Sequence, residues 1–381
     1  MADTIVPIID TLFYGEPMSS FKARVENFWK WFAENETTLT PYFENPRETD
    51  PTPTRERISE GINRVIEDLP FEFGGNFEIN FSANGRRELA FLTTYLAKNL
   101  PESLAQRWTI TPLKPAAGQG FTIGMFDKML GFDDVLVSME PAGNDRFFLR
   151  FYNGVLDEMD ENNAYFFFFI LLDAALGEAI SISHIDGVDK AEAAEDGMIP
   201  LSALSDAITA ELAKEDKTFN TNPCEYYVGY SGTPDEDTDP SELPLRHDII
   251  AGFTCQQRLM DEYYSEDHSV FELYTEAGAK AGFIWYFHDH DEVRDALDER
   301  NEITDRIIAE ILGEPDSGQE LGLNIGQAMA PTRGYIDFLL YDENAFLQKV
   351  GSVLKDYDYT FYYTDYQPEA ESTELPRGWK Q

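Results

Sequence analysis

The sequence predicts an α+β fold in two domains, the C-terminal one ferredoxin-like. Three observations carry that expectation. At 381 residues the chain is too long for one ordinary core. Its hydrophobic pattern switches repeatedly between the 3.6-residue period of helices and the 2-residue period of strands. From Lys280 onward the elements read β-α-β-β-α-β, the split motif that gives an antiparallel sheet with two helices on one face.

The first helix is "SSFKARVENFWKWFAENE". Phe21, Val25, Phe28, Trp29 and Phe32 fall at i, i+4, i+7, i+8 and i+11, with Ser19 or Ser20 as cap. After the loop "NPRETDPTPTRE", a second helix carries Ile58, Ile62, Val65, Ile66 and Leu69. The period then becomes two: Phe77, Ile79 and Phe81 alternate with Glu78, Asn80 and Ser82, a strand ended by Asn84-Gly85. A helix from Arg86 to Leu100 and a strand around Arg107–Pro115 follow. "DVLVSMEPAGNDRFFLRFYNG" reads as a hairpin turning at Pro141–Asp145. Ala164–Ala179 reads as an apolar helix, "AISISHID" as a strand, and "IPLSALSDAITAELAKE" as a closing helix. Turn-rich segments then divide residues 1–221 from 222–381, with the acidic loop Ser231–Pro244 inside the second domain.

In the second domain "KAGFIWYFHD" is a strand. The helix after it has Leu297, Ile303, Ile307 and Ile311 on its apolar side and Gly313 at its end. "ELGLNIGQAM" and "RGYIDFLLYD" are strands, "ENAFLQKVGSVLKDY" is a helix, and "YDYTFYYTDY" closes the sheet with Tyr357, Tyr359, Phe361 and Tyr363 on one face. The opposite face, with Asp356, Asp358, Tyr362 and Thr364, reads either as a recognition surface or as an ordinary sheet edge. The strand-helix-strand order at Phe77–Pro115 recurs near the C-terminus, by duplication or by convergence on a common motif.

Charge excludes some functions. With 71 acidic and 29 basic residues the net charge is −42, which repels phosphate backbones and anionic lipid, so neither nucleic acid nor a membrane is an expected partner. Such charge suits docking on a basic protein surface, cation binding, or simple solubility. The two cysteines, Cys224 and Cys255, make no disulfide framework or zinc knuckle. "MADTIVPIIDTLFYG" lacks a basic n-region and a long apolar run, so no signal peptide is read. The longest apolar run, Ala164–Leu172, is about half a membrane span and stops at Asp173. A cytoplasmic location is expected.

Several motifs resemble chemistry. His288 and His290, two apart on a strand end, would share a face and could chelate one metal with Asp291 or Glu292, as in a metal-dependent hydrolase. The H-x-H-x-D-H pattern fails at Glu292 and Val293, and His184, His247 and His268 have no spacing that nominates a third ligand. The competing reading makes Asp289 the N-cap of the next helix, with Glu292 at N3. Asp235–Asp239 begins like a calcium loop, yet Pro240 and Arg246 stand where Gly and Glu are needed. His247, Asp248 and Cys255 suggest no dyad by sequence proximity, and Cys255 is expected to be buried. Ala116–Gly124 is glycine-rich but leads into a strand instead of a phosphate-binding helix. No residue is nominated as catalytic, cofactor-binding or metal-ligating, and no cofactor is expected.

Two sets of landmarks carry a resemblance. "FWKWFAENE", "FSANG" and "LPESLAQRWTITPLKP" resemble the N-terminal region of uncharacterised bacterial proteins. "LNIGQAMAPTRGYIDFLLYD" and the helix and tyrosine-rich strand after it resemble the domain of unknown function family 695, although Gln327 follows Gly326 where that family pairs glycine with arginine. The resemblance implies no catalytic residues. It implies that members are relatives of, or neighbours in fusions to, the regulator of ribonuclease E activity B type, a small acidic ferredoxin-like protein that binds an enzyme and restrains it. The expected function is therefore non-enzymatic: an acidic binding or regulatory protein, like an inhibitor or immunity protein, engaging a basic protein surface.

Overall fold

The computed structural model describes residues 19–118, 120–235, 237–290, 292–313 and 317–376. The N-terminal stretch read for a leader therefore lies outside the described residues, as do Gln119, Glu236 and Asp291. The protein is a mixed α and β structure with several sheets.

The first group of elements is α1 (Phe21–Glu44), α2 (Thr52–Ile62), β1 (Phe71–Gly74), β2 (Glu78–Phe81), α3 (Arg87–Lys98), α4 (Glu102–Ala105) and β3 (Thr109–Thr111). The predicted apolar stripe of α1 is buried along its whole length, and Ser20 Oγ accepts the Ala23 N–H as its cap. Helix α2 stops at Ile62, short of the Leu69 its period suggested. Val65, Ile66 and Leu69 are buried from turns instead. Gly61 sits where a Cβ would lie 2.1 Å from the Trp31 ring, so α1 and α2 cross at close approach. Strands β2 and β3 pair in parallel around α3, with β1 antiparallel on the other side of β2.

The second group is β4 (Thr122–Met125), β5 (Lys128–Gly131), β6 (Leu136–Gly143), β7 (Arg146–Tyr152), α5 (Gly154–Asp157), α6 (Glu161–Leu176), α7 (Glu178–His184), β8 (Ile185–Lys190), β9 (Ile199–Pro200) and α8 (Leu204–Ala213). The expected β6–β7 hairpin forms and lies in a sheet of order β8-β7-β6-β9. One expectation is corrected: "AISISHID" opens as helix α7 and becomes strand only at Ile185. Gly177, at φ +81°, ends α6 and starts α7 at a bend of 107°, and Glu178, Ser181, Ser183 and His184 turn into the interior. Alternating Ile and Ser fitted a strand period, but burial of the polar side chains overrides it. Among the described residues no single helix is long and apolar enough to cross a membrane. Leu149, Phe151, Phe167, Phe168, Leu171 and Ile208 belong to a core that this group makes by itself.

The third group is β10 (Val228–Ser231), β11 (Ala251–Thr254), α9 (Gln257–Tyr263), α10 (Ser269–Ala277), β12 (Lys280–Phe287), α11 (Val293–Ile307), β13 (Gly322–Met329), β14 (Arg333–Leu340), α12 (Glu343–Leu354), β15 (Phe361–Asp365) and β16 (Thr373–Glu374). Its sheet runs β10-β11-β13-β14-β12-β15-β16, antiparallel throughout. Ile284, Ile336, Phe338 and Leu340 on one face pack with Ile303 and Ile307 of α11 and Val350 of α12. Phe283, Trp285, Tyr335 and Leu339 on the other face share a core with α1, α3 and the first sheet. That shared core draws on both sides of residue 221. Phe21 N–H donates to Gly278 O at 2.7 Å, and the Phe21 ring lies beside both Tyr95 and Tyr341.

Of the residues read on the far side of β15, Asp356 and Asp358 precede the strand and are exposed, whereas Tyr362 is half-buried and Thr364 buried. Tyr362 stacks on Trp285 at 4.5 Å, and Thr364 is buried with its hydroxyl accepting from the Trp285 indole N–H. The two strand-helix-strand segments also differ. Strands β2 and β3 are neighbours, whereas β14 and β15 are separated by β12.

Candidate functional site

The structure disperses most of the residues the sequence singled out. His290 Nε2 lies 2.8 Å from Glu299 Oε2, and the Tyr359 hydroxyl donates to the same oxygen at 2.8 Å. That hydrogen bond raises the His290 pKa. His288 Nε2 faces Ala330 O at 3.3 Å. Among the described residues, no group of three or more His, Cys, Asp or Glu is placed to hold a metal ion. The Asp289 cap is not formed either. Glu292 is extended at φ −105°, ψ 124° and occupies the N-cap position of α11 without a side-chain bond.

Asp235 and Asp239 turn their carboxylates onto their own loop, accepting from Asp237 N–H, Thr238 Oγ1, Ser241 N–H and Ser241 Oγ. Cys224 and Cys255 are buried, and burial pushes both thiols up, away from the nucleophilic thiolate. In the Ala116–Gly124 segment Gly120 has φ +76° and the chain runs on into strand β4 instead of into a helix.

His247 and Asp248 part company. The His247 ring lies against Tyr264, while Asp248 accepts from the Tyr335 hydroxyl at 2.6 Å and Arg333 Nη1 at 3.0 Å. Beside them Arg246, fully buried at φ +67°, donates to both oxygens of Asp337 at 2.6 and 3.2 Å and lies over the Tyr366 ring at 4.5 Å. The sequence reading missed this network. Its signal was present: in "RGYIDF" Arg333, Tyr335 and Asp337 alternate onto one face of a strand that is otherwise apolar. Every carboxylate oxygen here is occupied, so the network reads as structural.

A cleft of about 540 Å³ lies between α6, α7, β8 and the Asn84–Arg87 turn. Phe166, Phe169, Ile170 and Asp173 stand at i, i+3, i+4 and i+7, one stripe of α6, and all four line it. The opposite side of α6, with Phe167, Phe168, Leu171 and Leu172, is core. Phe166 is 49% exposed and Phe169 43%. The hairpin residue Phe126, also exposed, meets the Phe166 ring at 6.5 Å and extends the apolar wall. Across from α6 stand Ser181, Ile182, Ile185 and Val188.

Asp173 is the unusual group. Burial pushes its carboxyl up to about 6, and the negative charge of Glu178 adds to the effect. Ser181 and Lys114 pull the other way. Glu178 itself is inside, accepting from Ser82 Oγ, from Ala83 N–H at 3.2 Å and from Lys114 N–H at 3.0 Å, with Lys114 Nζ at 3.8 Å. Three guanidiniums line the cleft as well. Arg87 donates to Pro223 O and Tyr226 O, Arg146 to Ile185 O with Asp186 at 3.3 Å, and Arg86 is exposed. The sequence showed where the apolar run ended at Asp173. It did not show that α6 has two apolar faces, because a run of four phenylalanines is apolar in every direction.

A second feature lies on α11. Asp295, Asp298, Glu302 and Asp305 fall at i, i+3, i+7 and i+10 and are all exposed. The nearby bases give little compensation: Arg294 stands 3.9 Å from Asp298 with both side chains exposed, and Arg306 is engaged by Glu310 and Asp356. Compared with models of protein families, with curated proteins and with solved structures, the chain matches none.

Proposed function

We propose that this is a binding protein of the regulatory kind and not an enzyme, and that it docks on a basic surface of another protein through α11. One observation carries the reading: the exposed acidic stripe Asp295, Asp298, Glu302 and Asp305. Like charges three and four residues apart each weaken a helix by a few tenths of a kcal/mol. A helix with only a structural task gains by alternating acids with Lys or Arg, and this stripe does not. A basic partner would convert that repulsion into attraction and speed association.

The architecture supports the same reading. The order β12-α11-β13-β14-α12-β15, with inner strands arranged β13-β14-β12-β15, fits a ferredoxin-like unit extended at both edges, with α11 and α12 on one face. In this reading the unit is related to family 695 and the protein works in the cytoplasm. The hydrolase alternative is weaker, because His290 is held by Glu299 and Tyr359 and His288 lies on a backbone carbonyl. The test is capture of partners by the full chain at low and high salt, beside a variant with Asp295, Asp298, Glu302 and Asp305 changed to Lys. A specific basic partner, lost in high salt and lost with the variant, is expected. A partner held equally by the variant refutes the role of α11.

A further inference from the structure

We propose that the cleft between α6, α7, β8 and the start of α3 binds a small apolar carboxylate, its charged head on Arg86 and Arg87 and its apolar body against Phe166, Phe169 and Ile182. Helix α3 supplies the first argument. The N-terminus of a helix carries partial positive charge, which favours acids and disfavours bases. Here Arg86 occupies the N-cap position without a side-chain hydrogen bond, and Arg87 is the first helical residue. The turn before them, with Asn84 at φ +49° and Gly85 at φ +75°, brings both to the wall of the cleft. Two guanidiniums and the positive end of a helix thus meet at one place, a setting that suits an anion.

Hydrogen bonding supplies the second argument. Arg87 Nη2 donates to the Pro223 and Tyr226 carbonyls, which are neutral. Among the described residues neither Arg86 nor Arg87 has a carboxylate as ion-pair partner. Arg87 Nε and Arg146 Nε are buried donors without a hydrogen-bond partner, and Arg146 Nε lies 3.3 Å from Asp186 without making that bond. Buried donors are as a rule satisfied, and a carboxylate is the acceptor a guanidinium binds most strongly. The sum of charges points the same way. Arg86, Arg87 and Arg146 stand against Asp173 and Asp186, so the lining is net positive in a chain of net charge −42. Asp186 is half-exposed beside Arg146, which leaves Asp173 as the group that opposes an anion. Burial pushes its carboxyl up to about 6, towards the neutral form. The walls select the rest of the ligand. A surface helix turns polar residues outward, yet α6 turns out Phe166 and Phe169, and both line the cleft. At about 540 Å³ the cleft has the size of a small-molecule site. The site does not depend on α11.

The test is calorimetric titration of the full chain at neutral pH with 4-phenylbutyrate, 4-phenylbutanol and 4-phenylbutylamine. The butyrate should bind about tenfold more tightly than the alcohol, the difference between a charged and a neutral hydrogen bond, and the amine should bind most weakly. Arg87→Gln should bring the butyrate to the alcohol's level and leave alcohol binding intact, which also shows that the cleft is still folded. Arg86 is exposed and holds no other group, so Arg86→Ala should keep the fold and weaken the butyrate about threefold. Asp173→Asn should strengthen the butyrate by removing the opposing charge. Equal affinity for butyrate and alcohol, preference for the amine, a butyrate affinity unchanged in both arginine variants or weakened in Asp173→Asn, or no binding of any of the three overturns the proposal.

Discussion

Replacing Asp173 by Asn should make the protein more stable near neutral pH. In the folded chain the Asp173 carboxyl is pushed up to about 6, from an ordinary value of 3.8, by burial and by Glu178. The folded state therefore holds a proton between those two values that the unfolded chain has lost. Above about pH 6 both states are ionised, and the folded state carries the whole cost of a charge in a poor environment. As pH falls from about 6 towards 3.8 that cost is relieved. A gap of about two pH units, at about 1.4 kcal/mol each, sets the cost at about 3 kcal/mol. Asparagine is nearly isosteric and neutral, and should recover much of it. The assay is urea unfolding of both proteins across this range, with midpoint and slope compared at each pH. The Asn variant should unfold at higher urea at neutral pH, and its advantage should vanish as the pH approaches that of free aspartate. A variant less stable at neutral pH, or one whose advantage does not change with pH, would refute the account of Asp173 as a group held in an unfavourable place.

Three further outcomes follow from the interior. Asp337→Ala should destabilise by about 3–5 kcal/mol, because it leaves the Arg246 guanidinium buried without its counter-charge. Adding Arg246→Met should recover part of that loss in urea unfolding, and a double variant no better than the single one would count against the pair. His184 Nε2 accepts the Asn220 N–H at 2.8 Å, so its other nitrogen carries the proton donated to Asp145 O. Burial lowers its pKa below 6.5. The stability it contributes is complete above 6.5 and is lost as pH falls towards the lowered folded value, and the acid-side loss of urea stability should be smaller in His184→Gln. Gly61→Ala should cost about 1–3 kcal/mol by forcing a methyl group into the Trp31 ring, read as a lower melting temperature, and no change would mean that α2 can slide.

The local elements were largely legible because they rest on periodicity. The stripe of α1, the β6–β7 hairpin and the β-α-β-β-α-β order are all written in spacing. Boundaries failed where tertiary packing decided them. Helix α7 carries a strand-like alternation of Ile and Ser, yet it is helical because Glu178 is anchored by Ser82, Ala83 and Lys114 from far away in the chain. The His288–His290 pair drew attention as half a metal site. What fixed its actual bonds was Glu299 on the next helix and Tyr359 beyond it, neither marked by proximity. The cleft was half legible. Asp173 was visible as the end of the apolar run, but Glu178 arrives only through the 107° bend after Leu176, and Lys114 comes from the segment after β3.

The same bend links the core to the cleft. A helix as apolar as α6 must bury one side, and Phe167, Phe168, Leu171 and Leu172 do so against β7. Continuing straight past Leu176 would carry α7 away from the outer stripe and leave Phe166 and Phe169 facing water on a flat surface, an exposed apolar patch of the kind that drives association. Gly177 instead turns the chain so that Ser181 and Ile182 close the space from the other side. The turn needs φ +81°, and a Cβ at Gly177 would meet Ala116 N at 2.9 Å, so another residue there is opposed by both strain and contact. One glycine thus decides whether the second face of α6 lies open on the surface or walls a cleft. Phe166, Phe169 and Asp173 lie within two turns of α6, so any change that re-aims α6 moves charge and apolar surface together.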